Sequence, residues 1–310
     1  MTPPRASAPM PPAGTSGSLI ADKRYAYAEA LAADGDLAAA ADLFAQAGEA
    51  APGWAAAALA RGLTLERLGD GAGARAALGV AAHLDEGGLL GAALHLGRLD
   101  GTAPSDMPAA YVATLFDQYA PRFDAHLLDG LAYRGPQIIA EALAKAGAGT
   151  AAAGLDLGCG TGLMGRVLAH PGLRLDGVDL SAAMLRLAEA TGCYRGLWQG
   201  DCVAVARDLP AGSYGLAVAA DVLVYLGDLR PLCDAVARLL APGGWFAATV
   251  QARDQEGYDL GPDLRFRHAP GYLRTCLEGA GLTLLGLDPC VTRRENDADV
   301  AGLVFVARRP

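Results

Sequence analysis

Small apolar residues at helical spacing fill the first third of the chain, and short apolar runs separated by amphipathic stretches fill its second half. From Ser18 to about Asp100 alanine dominates a helical period, which predicts helices packed at close range. Asp100 to Pro108 is a loop by its turn residues. Phe116, Tyr119 and Phe123 then recur at i, i+3 and i+7, placing three aromatics on one helical face broken or kinked at Pro121. Gly135-Pro136 opens a further helix, to about Lys145, with proline in its first turn. From Ala151 onward apolar runs and helical segments alternate. Strands are predicted to end at Leu157 and to span Leu173–Val178, Leu197–Gly200, Tyr214 into Tyr225, Trp245–Val250, Leu282–Leu287 and Val300–Arg308. Helices are predicted from Leu163, over 182–190, over Leu229–Leu240 and from Gly271 to Ala280. This alternation predicts an α/β fold with a parallel sheet wound on both faces.

Composition supports a large core and narrows the function. The chain has 310 residues, enough for two domains, and 52% of them are hydrophobic. A net charge of -9 and a pI near 5.0 argue against a nucleic-acid surface. No apolar run reaches the roughly 18 residues of a membrane helix. Residues 1–17 carry Pro, Ala, Ser and Gly around a single Arg5 and lack the apolar core of a secretory signal, so they read as a disordered leader. The six cysteines form no CxxC pair, which points to a reduced, cytoplasmic protein. The five histidines show no HxH or HExxH spacing, and no metal site is expected.

The alanine-rich third repeats itself. Gly35-Asp36 recurs as Gly69-Asp70, an offset of 34 residues, which is the period of tetratricopeptide repeats. Ala28, Leu31, Ala40, Phe44, Ala47 and Pro52 resemble that repeat's small and bulky positions, and Gly62, Leu65, Ala74, Leu78 and Ala81 follow in the second unit. A third helix from about Gly88 to Leu99 closes the stack. Residues 18–103 therefore read as a tetratricopeptide-like helical domain. Two functions compete for it: a groove for a protein partner, or a cap that stabilises the rest or makes a self-association contact.

The stretch Leu155-Asp156-Leu157-Gly158-Cys159-Gly160-Thr161-Gly162 carries the strongest chemical signal. A glycine-rich turn between strand and helix lets a ligand lie against bare backbone. The order Asp-x-Gly-x-Gly-x-Gly differs from the dinucleotide fingerprint. It resembles the nucleoside loop of class I S-adenosylmethionine (SAM) dependent methyltransferases. The resemblance covers about Tyr111 to Arg309, and the helix, Pro242-Gly243-Gly244 turn and strand near the middle fit it too. It implies a Rossmann-like doubly wound sheet of seven strands with the last pair antiparallel, over 151–310, preceded by a helical lid or linker over 104–150.

The resemblance also implies roles for residues. Asp156 would help hold the loop and the methionine amino group, while Gly158 and Gly160 let the carboxypropyl chain approach. Cys159 is an ordinary occupant of the loop. In the Asp179-Leu180-Ser181 strand end, Asp179 would accept from both ribose hydroxyls, although a helix N-cap at Ser181 or Asp179 is the competing reading. Met184 would pack on the adenine or serve the core. Asp201 would contact the adenine amino group and the Cys202 backbone a ring nitrogen; an ordinary Gly-Asp turn is the alternative. Tyr119 and Phe123, with Tyr111 behind them, are lid candidates.

Asp221 and Tyr225 fall at the exit of the fourth strand, where acids and polar groups face the ligand crevice. His268 and His126 are candidates for substrate binding or proton transfer, against packed or solvated alternatives. Arg253 and Arg265 would anchor a carboxylate or be solvated. Methyl transfer from a sulfonium needs alignment more than acid–base chemistry, so the absence of a catalytic triad motif is consistent with it. The cofactor expected is SAM, and the acceptor a small molecule methylated at oxygen. A carrier-bound or protein substrate docked by the repeats, or a non-catalytic protein with a vestigial SAM fold, are the rivals.

Overall fold

Ser18, Asp36 and Asp70 each open a helix by accepting a hydrogen bond from the backbone N–H three residues on. The computed structural model describes residues 14–310 except 103, 126, 128, 129, 296 and 297. It divides into two units, one reaching to Pro104 and the other running from Ser105 to Pro310. The first holds α1 (Leu19–Asp34), α2 (Leu37–Ala50), α3 (Ala55–Leu68), α4 (Gly71–Leu84) and α5 (Ala92–Asp100). Gly35 and Gly69 end α1 and α3 with φ of 90° and 88° and are followed by the Asp36 and Asp70 caps, so the two turns share one geometry. Ala28, Ala40, Phe44, Ala47, Ala74, Leu78 and Ala81 are buried, while Pro52 is exposed. A Cβ on Gly62 would lie 2.7 Å from Leu78 Cγ, so the glycine sets how closely α3 and α4 approach.

The second unit opens with Ser105 to Met107 lying along the loop at Tyr225 to Asp228. An isolated Asp106–Leu226 bridge is flanked by Met107 N–H to the Tyr225 carbonyl and Gly227 N–H to the Ser105 carbonyl. There follow α6 (Ala109–Tyr119), a 3-10 turn at Ala120–Arg122 containing Pro121, α7 (Phe123–Ala125) and α8 (Gly135–Lys145). The α/β alternation then runs β1 (Ala153–Leu157), α9 (Leu163–Leu168), β2 (Arg174–Asp179), α10 (Ala182–Ala190), β3 (Gly196–Gln199), α11 (Cys202–Asp208), β4 (Tyr214–Ala219), α12 (Arg230–Leu239), β5 (Leu240–Ala252), β6 (Tyr258–Leu260), β7 (Phe266–His268), α13 (Pro270–Gly279), β8 (Thr283–Glu295) and β9 (Ala298–Arg308).

Strands β3-β2-β1-β4-β5 are parallel in that order, β9 joins β5 antiparallel, and β8 joins β9 antiparallel. These are the seven strands expected. The polar stretch after Gln251 adds two more, β6 and β7, as a hairpin. Gln251 pairs with Gly302 of β9 and with Arg267 of β7, so the hairpin occupies the β4 side of β5, past the end of β4. Pro242-Gly243-Gly244 is a bulge within β5 rather than a turn before it: Tyr214 faces Leu240 while Leu216 faces Trp245.

Both faces of the sheet are buried, which is why β4 reads as an unbroken apolar run. Leu216 and Val218 pack with Ile139, Leu143 and Met164 on one face, and Ala217 and Ala219 pack with Leu232, Val236 and Phe246 on the other. Among the described residues no helix is long and apolar enough to cross a membrane.

Candidate active site

The parallel strands end together, and their C-terminal edge carries the residues singled out from the sequence. After β1 the chain turns through Gly158 and Gly160 at φ of 67° and 54°. A Cβ on Gly158 would sit 2.4 Å from Val222 Cγ2, so no side chain fits there. A Cβ on Gly160 would meet nothing within 4 Å: the loop presents bare backbone to open space at that point.

Asp156 lies beneath the loop and is 1% exposed. Its Oδ2 accepts from the Tyr194 hydroxyl at 2.6 Å, and its Oδ1 is buried with no hydrogen-bond partner. Burial pushes its carboxyl up to about 7, against the Tyr194 hydrogen bond, with the charge of Asp179 adding to the rise. Tyr194 also accepts from Gly165 N–H in α9, so one phenol joins strand end and helix start. The sequence reading did not select it; its position opposite Asp156 exists only once the sheet has formed.

Asp179 ends β2. Its Oδ2 accepts from Gly160 N–H at 2.9 Å and its Oδ1 from Ser181 N–H at 2.8 Å, so it ties the glycine loop to the start of α10. Burial raises its pKa, and those backbone bonds oppose the shift. Ser181, not Asp179, is the N-cap, accepting from Met184 N–H. Asp201 caps α11 by accepting from Ala204 N–H at 2.8 Å. Leu180 is half-buried and its carbonyl accepts from Gln199. Met184 is 1% exposed, and Cys159 and Cys202 are buried thiols pushed up by burial, Cys202 to about 12.

The aromatic stripe folds as a cluster. Tyr119 meets Phe123 edge-on at 5.3 Å, Phe123 meets Phe116 at 6.0 Å, and Phe116 meets Tyr225 at 5.5 Å. The acids next to those phenylalanines, which the sequence reading passed over, fasten the segment. Asp117 accepts from the Ser181 hydroxyl and from Ala183 N–H, and Asp124 accepts from the Thr161 hydroxyl in the glycine loop. The repeated Phe-Asp pair, seven residues apart, was the available signal. Ser181→Ala removes both a cap and the hydrogen bond to Asp117. It should cost about 1–2 kcal/mol of stability in urea unfolding, whereas Asp117→Ala, which spares the cap, should cost less.

The candidate catalytic groups are disposed differently. His268 is fully buried at the end of β7. Its Nε2 donates to the Leu226 and Gly227 carbonyls at 2.9 and 3.2 Å, and burial lowers its pKa to about 4. That geometry ties the imidazole to the loop after β4 and leaves Nδ1 buried with no hydrogen-bond partner. His126 lies outside the described residues. Tyr225 is half-buried and its phenol is raised by burial.

Asp221 has a left-handed φ of 60°, and its carboxylate faces Arg293 at 3.1 Å and Arg265 at 3.4 Å. It therefore belongs to a charged cluster with Arg293, Arg265 and Glu295 just past the end of β4. Arg293 comes from β8, which runs eight residues past the strand end predicted at Leu287. Arg293 and Glu295 alternate onto one face, a two-residue spacing that the sequence does show.

The residues around the loop suit a cationic nucleoside. An orphaned buried carboxylate oxygen at Asp156 fits an ammonium group, open space over Gly160 fits a chain against backbone, and a strand-end carboxylate at Asp179 fits vicinal hydroxyls.

Residues 155–246 match the family described as a methyltransferase domain. Human methyltransferase-like protein 27 is 32% identical over 172 residues, covering 54% of this chain and 66% of its own length. The ubiquinone biosynthesis O-methyltransferase of Bordetella avium is 27% identical, covering 34% of this chain and 44% of its own length. The chain thus spans just under two thirds of the first relative and less than half of the second. The N-methyltransferase NodS of Bradyrhizobium japonicum, solved with S-adenosylhomocysteine, superimposes with a TM-score of 0.50 at 22% identity, covering 64% of this chain and 98% of that one. Residues 155–246 are thus similar to a methyltransferase domain, and the α/β part shares its fold with a solved methyltransferase.

Proposed function

We propose that the protein transfers the methyl group of SAM to an oxygen of a small-molecule acceptor. The observation that carries the reading is Asp156: a buried carboxylate with one oxygen held by Tyr194 and the other unsatisfied, directly under a glycine loop. Asp156 would hold the methionine amino group, Gly158 and Gly160 the chain beyond it, Asp179 the ribose, and Asp201 with the Cys202 backbone the adenine. Tyr119, Phe116 and Phe123 would close over the site. SAM supplies a methyl group already activated by a positive sulfur; the protein aligns the acceptor and excludes water. Oxygen as the receiving atom is supported by the O-methyltransferase relative. Calorimetry with SAM and S-adenosylhomocysteine tests the reading, and binding of neither overturns it.

The Asp156 assignment has a pH signature. Its folded pKa of about 7 lies above the unfolded carboxylate value of ~4, so between these values the native state binds the extra proton and stability falls as pH rises. A ligand ammonium selects the ionised form. Affinity for S-adenosylhomocysteine should therefore rise by up to about tenfold per pH unit below 7 and level off above it. In Asp156→Asn that slope should vanish; a slope that persists refutes the assignment.

A second reading concerns the helical unit. The matching Gly-Asp turns, 34 residues apart, support a tetratricopeptide-like stack over residues 18–103, ahead of a lid over 104–150 and a catalytic part over 151–310. Such a stack would dock a protein or carrier-bound acceptor, or serve as a cap or self-association face. Removing residues 1–100 separates these: lost turnover with intact S-adenosylhomocysteine binding favours docking, and lost folding favours the cap.

A further inference from the structure

The charged cluster beyond β4 contains one arginine with every nitrogen engaged and one engaged through Nη1 alone. Arg293 is 1% exposed at its side chain, and every nitrogen has a partner. Nε donates to Glu295 at 2.7 Å, Nη1 to Asp221 at 3.1 Å and Nη2 to Gln251 at 3.5 Å. Arg265 sits at the tip of the β6–β7 hairpin, which Gln251 fixes by donating to Asp263 at 3.1 Å. Its side chain keeps 21% of its surface exposed. It reaches Asp221 at 3.4 Å and Glu295 at 3.9 Å, both through Nη1 and both longer than the ~2.7–2.9 Å of a strong charge-assisted bond. Its Nε and Nη2 donate to no described residue. Arg293 already serves both carboxylates, and Arg265, in the field of Asp221, Glu295 and Asp263, keeps Nε and Nη2 for another partner.

Two phenols share its surroundings. Burial raises both Tyr225 and Tyr111, and the charge of Arg265 opposes the rise in each. Neither hydroxyl donates to a described residue. Phe116 meets Tyr225 edge-on, so the donors adjoin an aromatic wall. Unused donors beside one unused cation describe a receptor for an oxyanion, and the planar guanidinium with two free N–H directions matches the two oxygens of a carboxylate.

Resting on the methyltransferase reading, we infer that the acceptor carries a carboxylate, and that Arg265, with Tyr225 and Tyr111, is the residue set that selects it. Methylation of such a group needs no base. A carboxylate is ionised at neutral pH: its oxygen–carbon bond forms as the sulfur–carbon bond breaks, the electron pair returns to sulfur, and no proton has to leave. His268, committed to two carbonyls, and Asp221, paired with arginine, are consistent with that.

The test uses full-length protein saturated with S-adenosylhomocysteine, with benzoate and 3-phenylpropanoate as probes and benzamide and benzylamine as controls, read by calorimetry and thermal shift. At least one carboxylate should bind and neither control should. Arg265→Gln should weaken that binding about tenfold to a hundredfold, and Arg265→Lys should restore part of it. Affinity for S-adenosylhomocysteine should hold within about twofold in both variants, because Arg265 lies on the acceptor side. Controls that bind as well as the carboxylates, carboxylate binding indifferent to Arg265→Gln, or no carboxylate binding at all would overturn the inference while leaving the methyltransferase reading intact. Failure of S-adenosylhomocysteine to bind the parent protein would sink both.

Discussion

Arg293→Met should lose about 3–5 kcal/mol of folding stability in urea unfolding, a large share of what a domain possesses. The side chain is 1% exposed and pairs with Asp221 past the end of β4 and with Glu295 in β8, so its removal takes the nearest cation from both. Arg265, at 3.4 and 3.9 Å from those acids, is too loosely held to replace it. A triple variant that also carries Asp221→Asn and Glu295→Gln should recover most of the loss, since the uncompensated charge and not the missing volume dominates. A loss under about 1 kcal/mol in the single variant would show that water reaches the acids freely.

Asp179→Ala should reduce affinity for S-adenosylhomocysteine by about a hundredfold or more. Two hydrogen bonds from a ribose to a carboxylate, at about 1.5–3 kcal/mol each, disappear together. The same change frees Gly160 and Ser181, which Asp179 ties at 2.9 and 2.8 Å, so the loop also loses its preset shape. Asp179→Asn keeps one carbonyl acceptor and should fall between the two. Calorimetry on variants that retain the parent circular dichroism spectrum decides it, and an unchanged affinity in Asp179→Ala means that the ribose lies elsewhere.

What the sequence displayed was governed by short-range rules. The buried parallel strands announce themselves as apolar runs, and the glycines at 158, 160 and 162 sit where backbone must be bare, so the sheet and its loop were readable together. Seven of the nine strands followed from periodicity. The hairpin at 258–268 did not, because its strands are three residues each and polar on one side, and they exist only where β5 offers a free edge. The Asp221–Arg293 pairing spans 72 residues and the Ser181–Asp117 bond spans 64, distances over which residue spacing carries no register. His268 was visible as a residue and hidden as a role, since only the packed structure shows its Nε2 committed to two carbonyls. Asp179 shows the converse. Its two possible roles were both legible, and the structure gives the cap to Ser181.

Asp117 and Asp124 fasten the aromatic segment to the N-terminus of α10 and to Thr161, the same two places that flank Asp179. Were the nucleoside to sit on the loop as proposed, opening the aromatic segment and exchanging the nucleoside would draw on the same contacts, because Thr161 and the start of α10 serve both.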